Sequence, residues 1–408
     1  MIDRFNVSFA ALRMKVDLGL SDSVYGFGAS LFFVTYVVFQ IPGAILAEHW
    51  SVRKWIARIM VSWGLITVLT ASIHGARQFY LARLLLGAAE ASFFPAIIVY
   101  LTRWFTLKDR ARAIAALYAA SPVSAFIGSA IAGWLLPAHW MGISGWRWLF
   151  IIEGAPAVLA GAIALVYLTD RPREARWLSD AERSAIAGAL ACENSAKARG
   201  GPLRFRDACK DARLLLLVTG YFFYIMTVVT NSLWMPTFLQ RLSDLPTAAV
   251  ARLVMLPAAA GVAGLFLNSW SSDRSGERKW HTVIPVAFGG CCYLLIGIAT
   301  GHFVLVVLLF TLYYFCATSA FPSLWAMPTT FLSETAAAAA FGLINSVGQT
   351  GAFLGPTIVG YFNDSTHSIH LSLTFLGCSL LAGALVLSFL RSTHSDLSET
   401  PEPLRVPD

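Results

Sequence analysis

Apolar and polar positions along this chain fall into long blocks. Uncharged runs of membrane-spanning length recur at 23–47, 113–146, 214–240, 253–272, 280–333, 335–363 and 365–390. A membrane helix needs about 20 consecutive apolar residues, and the run 280–333 is long enough for two, with a turn at 299–302. With three shorter stretches, the pattern predicts eleven membrane helices, at 23–47, 55–75, 78–102, 112–136, 147–169, 212–240, 248–270, 280–299, 303–329, 335–362 and 369–391.

The N-terminal segment 1–12 is apolar after Arg4 but too short to cross a bilayer. The stretch from Arg4 to Arg13 makes about 13 Å of helix. One interpretation is the second half of a first membrane helix, with the native start upstream or the chain a shortened form. The alternative is a surface helix in which Asp3 and Arg4 form an ordinary charge pair.

Composition supports a membrane protein, since 57% of the residues are hydrophobic and 13% are charged, against about 25% charged in soluble domains. The only long polar segment divides six helices, counting the N-terminal one, from six. The predicted organisation is an N-terminal helix bundle at 1–168, a central loop at 169–211, a C-terminal bundle at 212–391 and a disordered tail at 392–408.

Loop charges predict the orientation. One set of short loops carries ten Lys and Arg residues and the opposite set carries six, and cytoplasmic loops have the excess. The central loop and the C-terminus are therefore predicted to be cytoplasmic, in a bacterial-type inner membrane. The net charge of +7 follows from this topology. No basic stretch is interleaved with aromatic residues, so the bilayer, and not nucleic acid, is the expected partner.

Two related loops occupy matching places in the two halves. Segments 43–54 and 268–279 each contain an acid followed five residues later by Arg-Lys. The predicted gating residues are Glu48, Arg53 and Lys54 in the first loop, and Asp273, Arg274, Gly276, Arg278 and Lys279 in the second. Two six-helix halves around a midplane site are typical of a secondary transporter.

One carboxylate stands in the middle of an apolar run. Glu90 follows Arg83 by seven residues, so both lie on one helix face, about 10 Å apart along the axis. Charged groups at this depth are costly and usually belong to proton or substrate pathways. A purely structural pairing of Arg83 with Glu90 is the alternative.

Several segments together resemble the anion:cation symporter branch of the major facilitator superfamily. They are Asp3-Arg-Phe-Asn-Val-Ser8, the stretch from Arg83 through Gly87-Ala-Ala-Glu90 to Pro95, Gly145-Trp-Arg-Trp-Leu-Phe-Ile-Ile-Glu-Gly154, Asp170-Arg-Pro172, the loop Asp273-Arg-Ser-Gly-Glu-Arg-Lys279, and Ala336–Asn345 with Gly355-Pro356. The chain departs from the pattern at Glu48, His49 and Ser51, and at Ser129-Ala130 in place of a Gly-Pro pair. The resemblance implies the all-α major facilitator fold, with two six-helix halves around a central cavity, and proton-coupled uptake of a small organic anion by alternating access.

The resemblance also implies roles for individual residues. Arg4 would bind the substrate carboxylate, and Tyr36, Ser121, Trp325 and Asn345 would complete the substrate site. Asp3 and Glu90, with Arg83, would couple protons, and transfer of a carboxyl group out of water favours its protonation. Tyr36 and Trp325 could equally be packing aromatics, and Glu153 is interpreted as a structural residue.

Other functions find little support. The chain has no phosphate-binding Gly-x-x-x-x-Gly-Lys-Ser/Thr motif, no cysteine or histidine spacing for a metal, and no catalytic cluster, so neither an enzyme nor a bound cofactor is expected. An exporter of the same fold is the alternative, and a membrane sensor is less favoured. The expected partner is a small carboxylate, either a tartrate-like diacid or an aromatic acid, and the expected state is a monomer.

Overall fold

The computed structural model describes residues 2–197, 211–328 and 334–390, apart from the side chains of 2–5, 107–108, 111, 115–116, 118–119, 193–197 and 334–339. The described residues form helices and no strand. The α-helices are α1 Ile2–Asp17, α2 Asp22–His49, α3 Val52–Thr70, α4 Ala76–Glu90, α5 Phe93–Trp104, α6 Leu107–Leu135, α7 Gly145–Tyr167, α8 Asp180–Lys197, α9 Ala212–Arg241, α10 Thr247–Leu253, α11 Met255–Ser275, α12 Trp280–Ile298, α13 Phe303–Ala326, α14 Glu334–Thr366 and α15 His370–Ser388.

The predicted all-α membrane architecture is confirmed. Each of the eleven predicted segments coincides with one helix or with a pair of consecutive helices. Eight spans within the described residues are long and apolar enough to cross a membrane, two of them formed by the pairs α4–α5 and α10–α11. Helices α3, α6 and α14 complete the eleven.

Two predicted helices are each divided into two in the structure, so the prediction that they are continuous was wrong. The segment 78–102 is interrupted at residues 91–92, and the segment 248–270 at Val254. A proline four residues after a carbonyl removes its hydrogen bond and clashes with it. Pro95 stands in this relation to Ala91 and Pro257 to Leu253, which places both interruptions where the helical ladder is weakest.

Helix α1 lies inside the bundle. It extends to Asp17, five residues beyond the predicted remnant, and Val7, Phe9 and Met14 are almost fully buried. Trp146 of α7 donates its indole N–H to Asp17 at 2.7 Å. This burial contradicts the surface-helix alternative.

The helices run alternately between two ends of the bundle. One end, here named the closed end, holds the connections 18–21, 71–75, 136–144, 242–246, 299–302 and 367–369. The opposite end holds the connections 50–51, 105–106 and 276–279. Within the first half, α1–α7, the pairs α2–α4 and α3–α7 pack closely, and within the second half, α9–α15, the pairs α9–α14, α11–α13 and α12–α15 do so. The halves meet mainly where α2 packs on α14, α1 on α9, and α6 on α10 and α11.

The polar segment 169–211 contains a helix that the sequence analysis did not predict. Ser179 and Glu182 form a reciprocal capping box at the start of α8, with bonds of 2.9 Å and 3.3 Å to each other's backbone N–H. The preceding turn is held against α5, because Trp177 stacks on Trp104 at 5.7 Å and Trp104 donates to the Thr169 carbonyl. The predicted disordered tail lies outside the described residues.

Candidate functional site

Four predicted site residues lie at the same depth in the bundle. Arg4 is 13 residues before the end of α1, Tyr36 and Glu90 are each 14 residues after the starts of α2 and α4, and Ser121 is 14 residues before the end of α6. All of these helix termini belong to the closed end, so each residue lies about 20 Å from it along its helix axis. The side chains of Asp3 and Arg4 lie outside the described residues, and their roles stay predictions. Ser121 is half-buried on α6.

The charged pair on α4 is buried against α2. Arg83 is 5% exposed and Glu90 is 4% exposed. The Arg83 guanidinium donates to the Ala29 carbonyl at 3.2 Å and lies 5.0 Å from the centre of the Phe32 ring. The structure therefore places both charges inside the protein and on the face of α4 that meets α2.

Glu90 is the last residue of α4 and adjoins the interruption before α5. Ser92, in the interruption, accepts a hydrogen bond from the Trp55 indole at 3.1 Å. A Cβ atom on Gly43 would lie 2.3 Å from the Ser92 Cβ, so α2 approaches this point closely. Contacts from α2 and α3 thus fix the backbone beside the buried carboxylate.

The two halves meet through a chain of three amides next to Tyr36. Tyr36 is 6% exposed and its ring lies 5.5 Å from that of Phe32. One turn later on α2, Gln40 accepts a hydrogen bond from the Asn345 amide at 3.0 Å, and Gln349 donates to the Asn345 oxygen at 3.4 Å. The Gln40–Asn345 hydrogen bond thereby joins α2, one turn after Tyr36, to α14 at Asn345.

Trp325 packs beside the same face of α14. Its ring centre lies 5.4 Å from Phe341, which precedes Asn345 by one turn, and 5.4 Å from Tyr221. A Cβ atom on Gly348 would lie 2.4 Å from the Tyr221 ring, so α9 closes tightly over this stretch. Trp325, Tyr221 and Asn345 therefore line one region of the second half.

The second gating loop forms a compact turn. Arg278 donates to Asp273 at 2.6 Å and to the Ser272 hydroxyl at 2.9 Å. Gly276 ends α11 with φ +68°, a left-handed conformation that glycine adopts without strain. The cations beside these residues lie over tryptophan rings, Arg274 over Trp270 and Lys279 over Trp280.

The first gating loop is bonded differently. Asp170, just after α7, accepts from the Arg53 backbone N–H at 2.9 Å and from the Ser51 hydroxyl at 2.6 Å. Ser51 in turn accepts from the Lys54 N–H, and Arg103 donates to the Glu48 carbonyl. The two loops share the spacing of acid and Arg-Lys, but the carboxylate that binds the first loop comes from Asp170.

A polar network joins the halves at the closed end. Asp22 forms ion pairs of 2.6 Å with Lys15 and with Arg241 of the second half. Asp364, from α14, accepts hydrogen bonds from the backbone N–H groups of Asp22 at 3.0 Å and Ser23 at 2.7 Å. Two further contacts between the halves, Arg13 with Thr247 and Arg252 with the Gly133 carbonyl, lie near the same end.

Sequence reasoning missed Gln40, Gln349 and Asp364, and it identified Asp170 only as part of a segment that resembles the family, without its contacts. Gln40 is a polar residue inside an apolar run, one turn from Tyr36, and that signal could have identified it. The partners of Asp364 and Asp170 include backbone N–H groups at the starts of helices distant in the sequence, which no local pattern indicates. The structure describes no group of three or more His, Cys, Asp or Glu side chains that could hold a metal ion.

Comparison of the chain with known proteins identifies a family. The family model described as Major Facilitator Superfamily matches residues 1–356 and, in a second match, 253–405. A protein of Agrobacterium vitis that is provisionally named a tartrate transporter is 39% identical over 398 residues, which cover 96% of this chain and 90% of that protein. A quinolone resistance transporter of Acinetobacter baumannii is 34% identical over 393 residues, covering 95% and 89%. Among solved structures, a bacterial homologue of the human lysosomal transporter Spinster matches with a TM-score of 0.74 at 17% identity, over 95% of this chain and 92% of the other.

Proposed function

The chain belongs to the Major Facilitator Superfamily, and from that premise we propose that it takes up a small organic anion together with protons. The observation that carries the proposal is the buried pair on α4, since Arg83 and Glu90 are 5% and 4% exposed inside a membrane span. Ionisable groups inside a membrane protein are costly and mark ion or substrate pathways. Glu90 is the proposed proton carrier, and Asp3 is a second proposed proton-binding residue. Arg83 takes part in the same proton coupling.

The name of one relative and the family resemblance of the N-terminal segment support a carboxylate substrate. The relative in Agrobacterium vitis is named for tartrate, a dicarboxylate. The resemblance of the N-terminal segment implies that Arg4 binds a carboxylate, and a guanidinium offers the planar pair of donors that suits this group. Arg4 lies at the depth of Tyr36, Glu90 and Ser121.

Transport would proceed by alternating access. The Asp22–Arg241 ion pair and the Asp364 contacts hold the halves together at the closed end. The excess of Lys and Arg at the opposite end supports a cytoplasmic location for that end. In this orientation the halves are bonded on the outer side of the membrane, as in a carrier that exposes its site to the cytoplasm. The gating loops at the opposite end would form the corresponding contacts in the other state.

The proposal is tested with purified protein in liposomes. We expect an inward pH gradient, acidic outside, to drive accumulation of labelled tartrate or an aromatic acid above its external concentration, and a protonophore to abolish this accumulation. Arg4→Lys should lose most uptake, because it keeps the charge but not the planar donors. Accumulation that is unaffected by the pH gradient and the protonophore would contradict proton coupling.

Export is the second candidate function, because one relative is named for quinolone resistance. An exporter would use the same proton gradient in the opposite direction. In vesicles that are acidic outside, such an exporter would expel a preloaded fluorescent quinolone and would not accumulate external organic anion. Gradient-driven movement of the quinolone without movement of organic anions would favour the exporter.

A further inference from the structure

We propose that Gln40 and Gln349 orient the Asn345 amide as a hydroxyl-recognition group, so that the carrier selects hydroxy acids over unsubstituted acids of the same charge. This inference rests on the proposed function, because it concerns the substrate class of the same site. Its basis is the chain of amides that joins α2 to α14.

The hydrogen bonds leave Asn345 with a defined remaining capacity. A carboxamide has two N–H donors and an oxygen with two lone pairs. One donor of Asn345 is bonded to Gln40 at 3.0 Å, and its oxygen accepts from Gln349 at 3.4 Å. Within the part of the chain that the structure describes, one donor and one lone pair of Asn345 therefore remain. A hydroxyl group, which donates one hydrogen bond and accepts another, matches both, whereas a carboxylate can only accept.

This result does not depend on the direction of the chain. Nitrogen and oxygen positions of an amide are assigned from its hydrogen bonds. If all three amides were reversed, Gln40 would donate to Asn345 and Asn345 would donate to Gln349. Asn345 would again retain one donor and one lone pair, so the complementarity to a hydroxyl is the same.

A second observation points to a polar ligand in this region. The indole nitrogen of Trp325 and the amide oxygen of Gln349 are both buried, and neither has a hydrogen-bond partner within the described part of the chain. Trp325 packs on Phe341, one turn before Asn345, and Gln349 lies one turn after it. Leaving a buried polar atom without a hydrogen-bond partner is energetically unfavourable. A hydroxylated ligand could satisfy the unused donor and acceptor together.

The orienting role has a consequence for specificity. A site that hydrogen-bonds a substrate hydroxyl rejects an analogue without it, because its own polar groups are left unpaired. Among four-carbon diacids, tartrate carries two hydroxyls, malate one and succinate none, with equal charge. We expect the ratio of KM for succinate to KM for tartrate to be about tenfold or more, since one unmade hydrogen bond has an effect of this size.

The test compares these three diacids in wild type and in matched variants. Gln40→Met keeps the length of the side chain but loses the amide, and should bring the succinate-to-tartrate KM ratio close to one, mainly by raising the KM for tartrate. Gln40→Glu keeps an acceptor and should retain more of the preference. Gln78→Met, a glutamine replaced near the closed end, is the control and should leave the ratio unchanged. Gln349→Met is the second variant, should Gln40→Met fail to fold.

The outcomes separate this inference from the proposed function. If wild-type protein transports none of the diacids or aromatic acids, the proposed function fails and the inference fails with it. If wild type transports succinate and tartrate with equal KM, or if Gln40→Met and Gln349→Met both leave a strong tartrate preference unchanged, the proposed function stands and the orienting role is overturned.

Discussion

At the scale of single residues, the central prediction concerns Glu90. Replacement by Gln keeps the shape of the protonated side chain but removes its titration. The loaded carrier can still cross, so exchange of internal for external substrate should continue near the wild-type rate. Net accumulation driven by a pH gradient should fall by about tenfold or more, an effect typical of losing an essential proton-transfer group. Both rates can be measured in the same liposomes.

The first half offers a matched control for this substitution. Glu153, on α7, is buried to a similar degree, at 7% exposure, and is interpreted as structural. The folded fraction of the Glu153→Gln variant should accumulate substrate under a pH gradient as wild type does. If Glu90→Gln accumulates substrate as wild type does, Glu90 is not the coupling site, and its pairing with Arg83 is structural.

A second prediction at this scale concerns pH and the second gating loop. Burial acts to raise the pKa of Glu277, but hydrogen bonds from the Trp280 and His281 N–H groups and from the His281 ring hold the pKa below its ordinary value. A lowered pKa means that the carboxylate stabilises the fold at neutral pH, and that this contribution is lost as the pH falls through the folded-state pKa. Wild type should have a higher Tm than Glu277→Gln at pH 7, with the difference shrinking below about pH 4.

The control for Glu277 is Asp244→Asn, which replaces an exposed carboxylate near the closed end. Its Tm should follow that of wild type across the same pH range. A Tm difference between wild type and Glu277→Gln that stays constant from pH 7 to pH 3 would show that the carboxylate charge does not stabilise the loop.

Single residues differ in how far the sequence predicted them. Arg83 and Glu90 were identified because a charge in an apolar run is visible without a structure, and their burial follows. The contacts of Gln40, Gln349, Asp364 and Asp170 were not predicted. Asp170 binds the backbone at Arg53, 117 positions away, and Gln40 binds Asn345, 305 positions away. Such contacts depend on how helices pack, and hydrophobic periodicity carries no information on them.

At the scale of helices, the existence and order of the membrane helices were predicted well, but α8 and the interruptions were not. Pro95 and Pro257 precede neither a charge nor a polar cluster, and prolines at 42, 122, 156, 236, 285, 322 and 356 lie inside continuous helices. A proline weakens the ladder, but the surroundings decide whether it opens. At residues 91–92 the Trp55–Ser92 hydrogen bond and the contact of Gly43 favour the interruption.

The packing of α4 on α2 gives a prediction at this scale. A Cβ atom on Gly87 would lie 2.1 Å from the Phe32 carbonyl oxygen, so Gly87→Ala must push the two helices apart. Overpacking of this kind costs about 1–3 kcal/mol, and the Tm in detergent should fall. Gly75→Ala is the control at the start of the same helix, because a Cβ there meets no atom within 4 Å. Equal Tm values for the two variants would mean that α2 and α4 are not in tight contact.

At the scale of the whole molecule, a residue of one half caps a helix of the other. The first N–H groups of a helix lack partners within it. At the start of α2 two of them, on Asp22 and Ser23, bond to the Asp364 carboxylate of α14. The same helix start carries Asp22, which pairs with Arg241 of the second half. Opening of the closed end therefore has to break a helix cap and an ion pair at once.

Removal of the cap should shift the balance between the two states of the carrier. Asp364→Asn removes the negative charge that interacts favourably with the positive N-terminal end of α2. Caps of this kind stabilise a helix by about 1 kcal/mol. The closed end should therefore open about fivefold more often. A cysteine at Ser23, in a background without the native cysteines, should react correspondingly faster with a membrane-impermeant thiol reagent added from the side of the closed end, which is the outer side in the proposed orientation. Asp244→Asn, at the same end but exposed, should not alter the labelling rate. An unchanged rate in Asp364→Asn would show that the cap does not hold the halves together, whereas a faster rate with reduced net uptake would tie this contact to the alternation of the whole molecule.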